Sequence, residues 1–69
     1  MLGTLRAKDA AAALLAVAQH DADPNVRSAA CHTLGLLGDG ATRLGLEDVA
    51  ARDADGFVRD MARIALRRL

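Results

Sequence analysis

The sequence predicts an all-α fold of four helices, arranged as about two copies of one helical repeat. Sixteen alanines and eleven leucines stand against one Phe, one Pro and no Trp or Tyr, and strands favour β-branched and aromatic residues instead. The chain also repeats itself with a period of 32 residues, and each copy spaces its apolar residues as a helix does. At 69 residues, we expect a single domain.

The internal repeat aligns the two halves of the chain without a gap. Pairing residues 1–37 with residues 33–69 gives fourteen identities, whereas composition alone would give roughly four or five. Duplication of a helical unit explains this match. The identical pairs include Asp21/Asp53, Asp23/Asp55 and Arg27/Arg59.

Each unit is predicted to contain two helices. In one of them, the residues at positions i, i+3, i+4, i+7, i+8 and i+11 form one stripe of an amphipathic helix. The stripes are Val26, Ala29, Ala30, Thr33, Leu34 and Leu37 in the first copy, and Val58, Met61, Ala62, Ala65, Leu66 and Leu69 in the second. The partner helices are predicted at residues 9–20 and 41–52. We therefore divide the chain into residues 1–7, the remnant of a preceding helix, and two repeat units at residues 8–39 and 40–69.

The ends of these helices are marked by capping residues. Asp23 and Asp55 precede the two striped helices, where a carboxylate accepts hydrogen bonds from free backbone N–H groups. Pro24 follows at a position suited to the first helical residue. Glycines at positions 38 and 40, on either side of Asp39, end the first striped helix.

These residues resemble a known family. The segment Asp-Ala-Asp-Pro-Asn-Val-Arg at residues 21–27, with Ala30 and the Leu-Gly-Leu-Leu-Gly-Asp segment at residues 34–39, is similar to a HEAT-like repeat of the phycobilisome-lyase subtype. Residues 53–59 repeat the first segment. The second unit departs from the pattern, with Gly56 in place of proline and two arginines in place of Gly-Leu at its end.

The resemblance implies a right-handed α-α superhelix, the HEAT-like solenoid, in which the second partner helix lies on the concave side. It also implies a ladder of hydrogen bonds between successive loops, and recurrence in both units favours such a structural role over catalysis. The ladder residues would be Asp21, Asp23, Arg27, Asp53, Asp55 and Arg59.

No residues form a convincing catalytic, cofactor or metal site, and we expect a protein that is not an enzyme. Cys31 and His32 are adjacent, so on a helix they point about 100° apart and do not face each other. His20 has no partner at metal-ligand spacing. Glycines 35, 38 and 40 follow a helix rather than a strand, which is not the context of a phosphate-binding loop.

The charges are balanced, with nine basic and nine acidic residues. No overall field attracts nucleic acid or an anionic membrane. A single cysteine excludes an internal disulfide, and without a signal-like or membrane-spanning apolar run we expect a soluble, cytoplasmic protein. The local exception is a basic face near the C-terminus, consisting of Arg59, Arg63, Arg67 and Arg68.

The most consistent function is a non-catalytic protein-interaction or scaffold module without a cofactor, bound to a protein partner. We expect either a piece of a longer helical array or a unit that self-associates through uncapped ends, at Leu2 and Leu5 and at Leu66 and Leu69. Two alternatives remain: an accessory part of a bilin-lyase-like enzyme, and weak nucleic acid binding through the C-terminal arginines. The residues predicted to contact a partner are Arg43, Glu47, Asp48 and Arg52.

Overall fold

A computed structural model describes residues 7–69, and in this part of the chain the secondary structure consists of helices joined by short loops. The helices are α1 (Ala7–His20), α2 (Pro24–Leu37), α3 (Arg43–Arg52) and α4 (Gly56–Arg67), with a short 3₁₀ turn at Gly40–Thr42. The predicted all-α class with four helices is thus confirmed. Within this part of the chain, no helix has the length and apolar character that crossing a membrane requires.

The two partner helices differ slightly from their predicted limits. Helix α1 begins at Ala7 in the described part of the chain, two residues before the predicted start, and residues 1–6 of the predicted remnant lie outside that part. The second partner helix begins at Arg43 instead of residue 41, because Asp39 accepts a hydrogen bond from the N–H of Ala41 and holds a tight turn there. Thr42 closes the same turn by donating to the carbonyl of Asp39.

The four helices form two stacked hairpins. Helix α1 packs against α2 and helix α3 packs against α4, while α2 and α4 make the main contact between the hairpins. Helices α1 and α3 touch less extensively. The core lies between these layers, and its largest fully buried side chains are Leu34, Leu46, Val58 and Cys31.

Capping explains where α2 and α4 begin and end. The carboxylate of Asp23 accepts from the N–H of Asn25, and that of Asp55 accepts from Phe57 and Val58. The cap therefore starts α4 even though Gly56 replaces the proline of the first unit. At the other end of α2, Gly38 adopts a left-handed conformation with φ of 67°, which glycine adopts without the steric cost of a Cβ.

Gly35 sets the distance between the two hairpins. A Cβ atom at this position would lie 2.9 Å from the Cα of Ala65 and 3.1 Å from its Cβ. The first of these atoms belongs to the backbone of α4, so it cannot move without displacing the helix. The absence of a side chain at Gly35 is what allows α2 and α4 to approach this closely.

Replacing Gly35 by alanine should therefore destabilise the protein, against the usual preference. In an exposed helix the change stabilises by about 1 kcal/mol, but here overpacking should outweigh that gain and lower the free energy of unfolding by roughly 1–3 kcal/mol. Urea denaturation followed by circular dichroism measures the change. Gly56→Ala is the matched control, since the nearest atom to its Cβ would be the end of the Arg59 side chain at 3.4 Å. Equal effects of the two substitutions would contradict the role given to Gly35.

Candidate interaction surface

The two aspartate-rich loops, residues 21–23 and residues 53–55, have the same internal hydrogen bonds. In the first loop, Asp21 accepts the backbone N–H of Asp23 at 2.9 Å, and in the second, Asp53 accepts that of Asp55 at 2.9 Å. The arginine that follows each loop turns back to it. Arg27 donates from Nη1 to the carbonyl of Asp21 at 2.8 Å, and Arg59 donates to the carbonyl of Asp53 at 2.6 Å. Each loop is thus closed by its own arginine.

One of these arginines also connects the two hairpins. Arg27 donates from Nε to Oδ2 of Asp53 at 2.9 Å and from Nη2 to Oδ1 at 3.2 Å. Both side chains are largely buried, with 14% of Arg27 and 6% of Asp53 exposed. The geometry is the bidentate pairing that a guanidinium group and a carboxylate favour. Within residues 7–69, this is the hydrogen-bonded charge pair that joins one unit to the next.

The six predicted ladder residues therefore have different roles. Arg27 and Asp53 bond across the units, whereas Asp23 and Asp55 cap helices within their own units. Arg59 bonds within its own loop, and Asp21 accepts the N–H of Asp23 within the first loop. The repeated pattern predicts that all six residues matter to the loops, but it does not separate the bridging pair from the caps.

The environment of Asp53 lowers the pKa of its carboxyl group. Burial on its own raises this pKa, but the hydrogen bonds from Arg27 and from the N–H of Asp55 outweigh burial, and the positive charges of Arg27 and Arg59 act in the same direction. The carboxylate is accordingly held in its charged form, which is the form that accepts both hydrogen bonds from Arg27.

The four residues predicted to contact a partner all lie on α3 and are exposed. Asp48 and Arg52 form a salt bridge at 3.2 Å with 54% and 82% of their side chains exposed, and such surface pairs contribute little to stability. Arg43 and Glu47 are also exposed. None of the four takes part in the hydrogen bonds of the loops that are described above.

A small cleft lies beside this surface, where the ends of α1 and α3 meet. Its volume is about 190 Å³, below the range of roughly 300–1,000 Å³ for typical small-molecule sites. Asp48 and Arg52 are in its wall, but Arg43 and Glu47 are not. The lining residues are Gln19, His20, Asp48, Val49, Arg52 and Asp53.

The interpretation based on charge missed an apolar residue on the same helix. Leu44 is 80% exposed, the most exposed of the large apolar side chains described. It follows Arg43 directly, and the position 32 residues earlier is Ala12, which is exposed on α1. A leucine on an otherwise polar helix face is the sequence signal that could have identified it.

The residues considered for chemistry differ in their surroundings. Cys31 is fully buried, and burial raises the pKa of its thiol to about 11, so the thiol stays protonated at neutral pH. His32 is exposed on the neighbouring position. In residues 7–69, no three His, Cys, Asp or Glu side chains are grouped as metal ligands.

The C-terminal arginines are partly occupied by contacts within the chain. Arg59 bonds to its loop, and Arg63 pairs with Asp60 at 2.8 Å. Arg67 and Arg68 are exposed near the end of α4. The basic face is therefore weaker than four arginines in the sequence suggest.

The stacked helical hairpins and the bonded loops define a helical-repeat protein. The family model for HEAT repeats matches residues 1–67, and the chain belongs to this family. No curated protein and no solved structure matches the chain. Proteins of the HEAT repeat family generally mediate protein interaction or scaffolding.

Proposed function

We propose that the chain is a non-catalytic protein-interaction module that binds a polypeptide through the exposed face of α3. The observation that carries this proposal is the combination of four exposed charged side chains with an 80% exposed leucine on one short helix. The opposite side of the same helix, at Leu46 and Val49, is part of the core. The helix is thus held firmly by the fold while its outer face remains available.

The chemistry of this face favours a protein over other ligands. Arg43 and Arg52 balance Glu47 and Asp48, so the face has no single sign of charge for the phosphates of a nucleic acid. Leu44 provides the apolar contact around which charged residues can pair, an arrangement typical of interface cores with polar rims. The expected partner is a polypeptide that has an apolar side chain flanked by charges of both signs.

The resemblance to the phycobilisome-lyase subtype gives less support to a bilin-related function. It depends in part on residues 21–27 and 53–59, and the arginines and aspartates of these segments bond to one another and cap helices. The cleft beside α3 is also small. The visible absorbance spectrum of a bilin should therefore not change when the protein is added.

Substitution of Leu44 tests the proposed surface. Wild-type protein, Leu44→Gln and Leu36→Gln are immobilised separately, and the proteins that each retains from an extract of the source cells are quantified by mass spectrometry. Leu36 is the matched control because it is 60% exposed on α2, away from the proposed face. We expect at least one protein to be retained about tenfold less by Leu44→Gln and equally by Leu36→Gln.

Both variants should melt at the wild-type temperature, since glutamine is a good helix former and both leucines are exposed. Retention of the same proteins by all three immobilised chains would contradict the assignment of the surface to α3. Binding lost equally in both variants would contradict it as well.

A further inference from the structure

The repeat allows the two striped helices to be compared position by position. The face of α2 that packs against α4 contains Ser28, Cys31 and Gly35, all of which are buried. The positions 32 residues later on α4 are occupied by Asp60, Arg63 and Arg67. These three residues are exposed. The outer face of α4 is therefore charged at the positions where α2 has small side chains.

The charged residues would prevent a further repeat from packing on α4 as α4 packs on α2. Even one Cβ atom at Gly35 would overlap the backbone of α4, and Arg67 occupies the equivalent position with a long side chain. Arg63 is held across the same face by Asp60, and it also donates to the carbonyl of Ala50 at 3.4 Å. Burying this charged pair beneath another helix would require its desolvation.

The outer face of α2, on the opposite side of the stack, lacks these charged residues. Helix α4 packs on α2 at Ala65, and Val58 lies one helical repeat of seven residues earlier on the same face; they are 1% and 0% exposed. The equivalent residues of α2 are Val26 and Thr33, both exposed, with 39% of Val26 accessible. The outer face of α2 thus has the same valine as α4 and a threonine in place of Ala65, without a partner helix among residues 7–69.

The charge of the first loop fits the same contact. Asp53 accepts two hydrogen bonds from Arg27 of the preceding unit. Asp21 occupies the equivalent position, and within the described part of the chain its carboxylate accepts only the N–H of Asp23. A hairpin docked in register on the outer face of α2 would bring its own arginine to Asp21.

We propose that the α1–α2 side of the protein is a docking face for another HEAT-type helical hairpin, whereas the outer face of α4 is a charged cap. The hairpin has an arginine at the position of Arg27 and small residues at the positions of Ser28, Cys31 and Gly35. A second copy of this chain does not meet these requirements, because the outer face of its α4 presents Asp60, Arg63 and Arg67. On this proposal a hairpin docks on the outer face of α2 and not on the outer face of α4.

Removal of the cap tests this proposal, because it turns a second copy into the missing partner. The variant Asp60→Ser/Arg63→Ala/Arg67→Gly, here called the uncapped variant, gives α4 an outer face like that of α2. Light scattering across a dilution series should give 7.2 kDa for the wild-type chain and a concentration-dependent mass of about twice that value or more for the uncapped variant. Circular dichroism first establishes that both are helical.

A substitution that blocks the docking face provides the matched control. Val26→Glu places a charge on the partly exposed valine near the start of α2, where an acidic residue suits the helix dipole. Added to the uncapped variant, it should restore the mass of 7.2 kDa. This quadruple variant should still bind wild-type protein one to one, since the docking face of the wild type is intact, but it should not bind the single variant Val26→Glu.

Three results would overturn the proposal. A folded uncapped variant that remains monomeric, and that does not bind the wild type, would show that the face of α2 does not accept a hairpin. Association that persists after Val26→Glu would place the contact elsewhere. Self-association of the wild type that Val26→Glu abolishes would show that the arginines do not act as a cap. If the triple variant does not fold, Arg67→Gly alone is used in the same mixtures.

Discussion

Leu34→Ala should remove most of the stability of the protein. Leu34 is fully buried at the centre of the core, next to Cys31 and Leu46 in the same cluster of buried residues. Truncation of a buried leucine to alanine lowers the free energy of unfolding by about 3–5 kcal/mol, because apolar contacts are lost and a cavity remains. Small domains have only about 5 kcal/mol or a little more in total, so the variant should be largely unfolded near physiological temperature.

The effect can be separated from a change in helix propensity by a substitution two residues away. Leu36→Ala makes the same chemical change on the same helix, but Leu36 is 60% exposed, and its effect should stay within about 0.5 kcal/mol. Urea denaturation of both variants by circular dichroism gives the comparison. A similar loss in both would mean that Leu34 is not a central part of the core.

Arg27→Met should cause the next largest loss. The substitution retains an unbranched chain of good helix propensity but removes both hydrogen bonds to Asp53 and the bond to the carbonyl of Asp21. Asp53 then keeps a charge in a site where 6% of its side chain is exposed. We expect the melting temperature to fall by on the order of 10 °C. Arg52→Met is the control, since the Arg52–Asp48 pair is exposed and its loss should change the melting temperature by ~2 °C or less.

The same variant should change the dependence of stability on pH. In the folded wild type the pKa of Asp53 is lowered, so below its unfolded value of about 3.9 the unfolded chain binds a proton more readily than the folded one. The stabilisation is therefore fully present above that value and is lost as the pH falls through the folded pKa. The difference in melting temperature between wild type and Arg27→Met should narrow on acidification. A difference that stays constant down to about pH 3 would contradict this account.

The sequence was sufficient for the parts of the fold that depend on local patterns. Apolar spacing predicted the helices, and Asp23 and Asp55 predicted where two of them begin, because capping involves residues close together in the chain. The start of α3 was less predictable, since the short 3₁₀ turn depends on how Asp39 and Thr42 bond to each other in three dimensions.

The packing between hairpins was harder to predict, because it depends on residues far apart in the chain. The sequence pattern groups Gly35 with two glycines that follow a helix, whereas Gly35 lies within α2 and its contact with Ala65 explains why it has no side chain. The sequence pattern predicts a basic face at the C-terminal arginines, although Arg63 and Arg67 replace buried small residues of the first unit. Leu66 and Leu69, expected at an open end, are partly buried and pack against the core.

The unequal packing of the two helix layers has a mechanical consequence. The α2–α4 layer is held almost backbone to backbone at Gly35, whereas the α1–α3 layer is filled at Gly45 by the flexible side chain of Leu15. A bending force should therefore separate α1 from α3 while the α2–α4 contact serves as the hinge line. The cleft beside Asp48 and Arg52 lies between α1 and α3, where the helices separate more easily. A ligand that binds in this cleft and moves α1 away from α3 would therefore change the curvature of the protein. Bending of the protein would in turn alter the affinity for that ligand.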